Sequence, residues 1–406
     1  MNTGDTAWLL VSAALVMFMT PGLALFYGGM VRRKNILGTI VQSLVLIGLI
    51  SVEWALVGYS FAFGPDHGGI IGDLSWVGLS GVGLAPFKEY AATVPHQAFM
   101  VYQMMFAVIT PALITGAFAE RFRFSVFLVF SLLWALLVYN PVAHWVWGIG
   151  GWIRNMGALD FAGGTVVHIT SGVSALAAAL VVGRRKGFGA DNMAPHNLPM
   201  TVTGAAILWF GWFGFNAGSA LSAGELATSA FVATHLAAAS ATLSWVFVEW
   251  LHRRKPTVLG AASGCVAGLV AITPGSGFVT PLSAMAIGLA AGAVCYGAVM
   301  MKGRLGYDDA LDVVGVHCVG GTFGALATGL LATTAVNAGG ANGLFYGNAK
   351  LLAVQAVAVA AVLVYSFVVT YGLLKALDKL VGLRVSREDE MMGLDLSEHG
   401  EAGYNW

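Results

Sequence analysis

Eleven mainly apolar segments, separated by short charged clusters, constrain this chain more than any other feature. They run approximately over residues 7–30, 36–63, 98–119, 124–146, 161–183, 199–219, 227–251, 257–275, 282–301, 312–334 and 350–376. About 20 such residues in a helix cross the hydrocarbon of a bilayer. Charged residues make up 10% of the 406, too few to cover a water-facing surface of that size. The expected fold class is therefore an all-α membrane protein with eleven transmembrane helices. Glycine, at 54 residues, has no collagen-like period and suits close helix packing in lipid. No basic run exceeds three residues and the net charge is zero, which excludes nucleic acid as a partner. Cys265, Cys295 and Cys318 lie in apolar stretches without metal-like spacing, which argues against a disulfide framework or a zinc site.

Lys and Arg are retained on the cytoplasmic side. Seventeen of the 20 follow odd-numbered segments: Arg32, Arg33, Lys34, Arg121, Arg123, Arg184, Arg185, Lys186, Arg253, Arg254, Lys255, Lys302, Arg304, Lys375, Lys379, Arg384 and Arg387. Only Lys88, Arg154 and Lys350 fall on the other side. This predicts a multi-pass protein of the cell membrane with its amino terminus outside and its carboxyl terminus cytoplasmic. No basic residue precedes the first apolar run, and Arg32 follows it, so segment one is read as a permanent span rather than a signal peptide.

Five segments, five more and one extra at the carboxyl end imply an inverted repeat, because an odd unit sets its second copy upside down. Such repeats suit pores and transporters. Segment five carries Val166-Val167-His168 and segment ten Val314-Gly315-Val316-His317. Ionisable residues within spans are functional candidates by default, and two histidines at matched positions can bond to each other and still offer a polar edge. His235 has no counterpart and reads as packing. Asp160, at the outer start of segment five, can cap free N–H groups and favour an arriving cation.

Several motifs stand in order along the chain. They are Leu25-Phe26-Tyr27-Gly28-Gly29, Gly116-Ala117-Phe118-Ala119-Glu120-Arg121, Asn140-Pro141-Val142-Ala143-His144 and Gly157-Ala158-Leu159-Asp160-Phe161-Ala162-Gly163-Gly164. Further on come Pro195-His196-Asn197-Leu198-Pro199, the stretch from Gly211-Trp212 to Gly218-Ser219, and Asp312-Val313-Val314-Gly315-Val316-His317. Together they resemble the ammonium transporter family (Amt/Mep/Rh), and particularly its bacterial Amt branch. The resemblance implies a homotrimer of eleven-helix subunits, each with its own pore. It implies substrate recruitment by Tyr102, Phe106, Trp147 and Ser219, a gate of Phe106 and Phe215, paired pore histidines His168 and His317, and Asp160 as a structural support. Tyr102 stands where the family often has Phe, so its hydroxyl is expected to alter cation hydration at the mouth. One extra residue separates Trp147 from Asp160 compared with the family's usual form.

The function implied is an ammonium transporter or channel. It would bind ammonium outside, deprotonate it and conduct ammonia along a hydrophobic pore past the histidines, with electroneutral and electrogenic routes both open. A neutral-solute channel for carbon dioxide or methylammonium is an alternative, as is a bis-histidine haem protein. No cofactor is implied, and no nucleophile, base and oxyanion donor occur as a set, so an enzyme is not expected. Residues 1–376 are expected to form the membrane domain and 377–406 a cytoplasmic tail. The composition of that tail reads as a solvated segment. Its Gly393-Leu394-Asp395, His399-Gly400-Glu401 and Tyr404 pattern resembles the family's regulatory tail, which implies a PII signalling protein as partner.

Overall fold

The chain is described by a computed structural model covering residues 1–404; residues 405 and 406 of the expected tail lie outside the described residues. Its long helices are α1 (Thr3–Met30), α2 (Arg33–Phe63), α3 (His96–Phe118), α4 (124–147), α5 (Gly164–Val182), α6 (Leu198–Ala217), α7 (Glu225–Arg253), α8 (Val258–Ile272), α9 (Pro281–Leu305), α10 (Val314–Leu331) and α11 (Ala349–Val381). Two short helices follow, α12 (Arg387–Met392) and α13 (Leu394–His399). Among the described residues, ten helices are long and apolar enough to cross a membrane, and α8 is a shorter apolar helix of 15 residues. The last long helix outruns its expected apolar limit at 376, because helix propagation needs no apolar side chain once its turns are formed.

The bundle inverts the surface logic of a soluble protein. Leu243, Phe247, Val364 and Val368 point outward, one helical turn apart in each pair, as suits contact with lipid. Polar groups such as Thr20, Ser43 and Thr110 are buried between helices. Small residues let the backbones approach: a Cβ on Gly288 would meet the Ala237 carbonyl oxygen at 2.2 Å, and one on Gly292 the Ala241 oxygen at 2.5 Å. This four-residue small pattern seats α9 against α7. Likewise, a Cβ on Gly172 of α5 would come within 2.2 Å of the Cys318 backbone nitrogen on α10.

Four of the long helices contain π-helical turns: Trp54–Gly58, Ala135–Tyr139, Gly164–Ile169 and Val314–Cys318. The last two contain His168 and His317. Such turns free backbone groups and re-aim side chains at functional sites. The segment between α2 and α3 carries a small antiparallel ladder, Asp66–His67 against Ile71–Gly72.

The tail is not a free solvated segment. Gly38 N–H donates to Asp395 Oδ1 at 2.9 Å, Leu394 N–H to Asn35 Oδ1 at 2.8 Å, and Phe124 N–H to Glu398 Oε2 at 2.9 Å. Tyr404 reaches His196 Nε2 at 3.0 Å. Composition misses this docking because the partners, the Gly38 and Phe124 backbone and the Asn35 and His196 side chains, lie far away in sequence.

Candidate functional site

A surface cavity of about 260 Å³, on the side that the Lys and Arg distribution leads one to expect outside and called outer on that ground, is lined by Phe106, Trp147, Ser219, Asp160 and Gln103, among others. Trp147 ends α4, and its indole N–H donates to the Asp160 carbonyl at 2.9 Å. Phe106 meets the Trp147 ring edge-on, with centroids 5.8 Å apart. Asp160 caps the start of α5: its Oδ1 accepts from Gly163 and Gly164 at 2.8 and 2.6 Å, and its Oδ2 from the Thr165 and Val166 N–H groups at 2.8 and 3.3 Å and from the Thr165 hydroxyl. Gly163, at φ +114°, provides the left-handed turn into the helix that a side chain would strain. Both carboxylate oxygens are thus committed to the helix start.

Tyr102 departs from the expectation for its hydroxyl. The side chain is fully buried and outside the vestibule lining. Its oxygen lies 2.9 Å from the Gly214 and Phe215 carbonyls and 3.1 Å from Ser219 Oγ, because buried hydroxyls seek partners. Ser219 Oγ in turn donates to the Phe215 carbonyl at 2.9 Å, so its lone pairs remain to accept from a cation.

Beneath the vestibule the Phe106 and Phe215 rings lie 4.3 Å apart, centroid to centroid, at 34°. Phe106 lines the outer cavity and Phe215 the next one inward, an enclosed space of about 10 Å³. That space suits a single water-sized molecule. His168 and His317 line it with Phe26, Ile109, Trp212 and Val266. The two Nδ1 atoms are 3.2 Å apart. A hydrogen bond there needs one proton between them, so one ring donates and the other accepts. His168 stacks on Trp212 at 5.4 Å, and Trp212 is fixed by its N–H donating to Thr273 Oγ1 at 2.9 Å. His168 Nε2 is buried without a protein partner.

A second space of about 10 Å³ continues inward past His317, Phe26 and Val266 to Ser263 and Asp312. Those last two also line an inner surface depression of about 370 Å³. Vestibule, ring pair, two small cavities and inner depression therefore follow one another through shared walls. His235 lies outside this route, exposed and 5.4 Å from the Trp209 ring.

Three residues that build this region were missed from the sequence: Trp212, Thr273 and Asp309. Asp309 Oδ2 accepts from the Val314 N–H at 2.7 Å at the start of α10, as Asp160 does at the start of α5. Each aspartate stands eight residues before its histidine, and that spacing was the available signal. Burial pushes the Asp309 carboxyl up to about 6, against the pull of Lys302.

The inner ends of the helices are tied by charge. Glu120 accepts from Arg32 N and Nε at 2.7 and 2.9 Å and from Arg185 Nη1 at 3.3 Å. Arg185 forks onto Asp308 with two bonds of 2.9 Å. Burial works against ionised Glu120 and Asp308, but Arg185 with Arg32 for the first, and Arg185 with Arg121 for the second, outweigh it and hold both below the ordinary carboxylate range.

This is a helical, multi-pass membrane protein whose interior holds two small adjoining cavities walled in part by a bonded pair of histidines. The model of the Ammonium Transporter Family matches residues 7–404, and the chain belongs to that family. It is 55% identical over 405 residues to an ammonium transporter of Bacillus subtilis, covering 100% of this chain and 99% of that protein. It is 48% identical over 404 residues to the ammonium transporter Amt1 of Archaeoglobus fulgidus, covering 100% of each. The crystal structure of Saccharomyces cerevisiae Mep2 superposes with a TM-score of 0.90 at 37% identity, covering 96% of this chain and 89% of that one. The Bacillus subtilis and Archaeoglobus fulgidus relatives are named as ammonium transporters, that is, as transport proteins rather than enzymes.

Proposed function

We propose that the chain is an ammonium transporter or channel that gathers ammonium in the outer vestibule, strips one proton and passes ammonia between Phe106 and Phe215 to the His168–His317 pair. The observation that carries this reading is the pair itself, with ring nitrogens 3.2 Å apart in a space for one small molecule. Ammonium and potassium are similar in size and charge, so size exclusion does not separate them. Trp147 and Phe106 attract either ion by about 0.5–2 kcal/mol, and Ser219 accepts a hydrogen bond only from ammonium. Ammonium alone can continue as a neutral molecule, whereas a bare potassium ion in an apolar passage costs several kcal/mol or more. Tyr102 supports the site by holding Ser219, and Asp160 by fixing the start of α5. The released proton returns outward or follows the imidazole pair, and the direct contact between the rings favours the second route. A haem bridge is disfavoured, because imidazoles bonded to each other leave no metal position between them.

Eleven crossings follow if α8 also spans. The basic clusters at the end of α7 (Arg253, Arg254, Lys255) and within the end of α9 (Lys302, Arg304) share one side only if the chain returns between them. The Asp-to-His spacing repeated at α5 and α10 supports the inverted five-plus-five repeat, and the distribution of Lys and Arg supports an outside amino terminus. Residues 1–376 then form the membrane domain and 377–406 a cytoplasmic tail. The same family reading assigns a homotrimer, with PII docking on the tail face; a pull-down under nitrogen-replete, ADP-rich conditions that recovers no PII removes that partner. The transport reading is tested by solid-supported-membrane currents and lumenal pH after ammonium and potassium pulses. Ammonium should give a response that potassium does not, and equal responses, or none to ammonium, overturn it.

A further inference from the structure

The outer vestibule contains one charged group that none of these roles uses. Only Arg154 and Asp160 among its lining residues are charged, and both Asp160 oxygens are turned into the start of α5. Arg154 sits in the short helical turn Trp152–Asn155 and is exposed. Its Nη1 donates to the Trp147 carbonyl at 2.5 Å, at the carboxyl end of α4, where a cation is favoured. It forms no ion pair among the described residues. Asp66 and Glu89 act on Tyr90 together with Arg154, but Asp66 is bonded to His144 Nε2 and to the Gly69 N–H. A cavity that would gather a monovalent cation therefore has a fixed positive charge on its wall.

We propose that Arg154 is a specificity-determining residue of the outer site: its charge repels bound ammonium, weakening binding and favouring the neutral molecule, while its Nη1 clip positions Trp147. The inference rests on the transport reading above. A like charge disfavours the charged form of a neighbour, and the repulsion is relieved once water has carried the released proton out of the vestibule and left neutral ammonia behind. The same interaction energy thus appears twice, as weaker binding and as easier deprotonation. Binding the reactant less tightly than the species that goes forward raises turnover. Exposure and counter-ions limit the effect to about 2–5-fold.

The test uses the purified full-length chain, as wild type, Arg154→Gln and Arg154→Lys, in vesicles of zwitterionic lipid. Ammonium-evoked current and lumenal pH are followed at low and high ionic strength. Gln keeps a donor for the Trp147 carbonyl and removes the charge; Lys keeps both. At low salt, Arg154→Gln should lower KM by about 2–5-fold and lower Vmax with it, and both differences should shrink at high salt. Arg154→Lys should keep the wild-type KM. The wild-type KM should itself fall as inert salt is added, a readout that needs no variant. An Arg154→Gln KM that is unchanged or raised, a fall that persists in high salt, or a wild-type KM indifferent to salt overturns the proposal. Absence of any ammonium response from the wild type would instead defeat the transport reading on which it rests.

Discussion

The passage through the helices and the inner collar around it handle polarity in opposite ways. Between the phenyl rings and Asp312 the walls are apolar apart from the two imidazoles, the Tyr27 hydroxyl and Ser263. At the helix ends, Arg32, Glu120, Arg121, Arg185 and Asp308 form a connected network that joins the loops after α1, α3, α5 and α9. Full charges suit the collar, where each has a partner and nothing needs to pass. Neutral groups that both donate and accept suit the proposed route, where a fixed charge would trap or repel cargo. Architecture and conduction are thus separable, and each can be broken alone.

The largest effect should come from the collar. Asp308→Ala leaves buried Arg185 without its fork and should cost about 3–5 kcal/mol, read as a lower midpoint of thermal unfolding in detergent. Where folded protein survives, its KM for ammonium should stay near that of the wild type. Replacing both imidazoles, with His168→Leu and His317→Leu, should do the reverse. Selective ammonium flux should drop by about tenfold or more, at least ~1.4 kcal/mol, with little change in melting. Unchanged flux and unchanged potassium exclusion would remove the pair from the path.

A smaller change is expected at the mouth. Trp147→Leu deletes one cation–π face worth about 0.5–2 kcal/mol and should raise KM accordingly, with the unfolding midpoint as control. Acidification sharpens the comparison most gently. Glu120 and Asp308 are held below their ordinary values, so their stabilisation is fully present above the unfolded carboxylate pKa and is lost as pH falls through the lower folded values. Thermal stability should therefore decline only at strongly acidic pH, and Glu120→Gln should flatten that decline. A decline of the same size in the variant would separate acid sensitivity from the collar.

Much of this was readable in the chain. Apolar length gave the helices, because hydrocarbon thickness sets the span, and the two histidine segments were marked by their polarity in an apolar run. The seat of the tail was not readable, since its hydrogen bonds go to Asn35, the Gly38 and Phe124 backbone and His196, far away in sequence. Nor was the inward turn of the Tyr102 hydroxyl, which depends on carbonyls freed at the end of α6. Trp212 read as one aromatic among many until Thr273 was seen to hold it beside His168.

The sequence by itself determined that this chain is helical, multi-pass and poor in intramembrane charge, because segment hydropathy and the placement of Lys and Arg are local properties. Only the tertiary structure decided that the two imidazoles share a hydrogen bond, that the ring pair separates a roomy vestibule from a space for one molecule, and that Arg154 faces the mouth. The imidazole pair alone joins residues 149 positions apart, and these relations arise from helix packing that glycines such as Gly172 permit at close range.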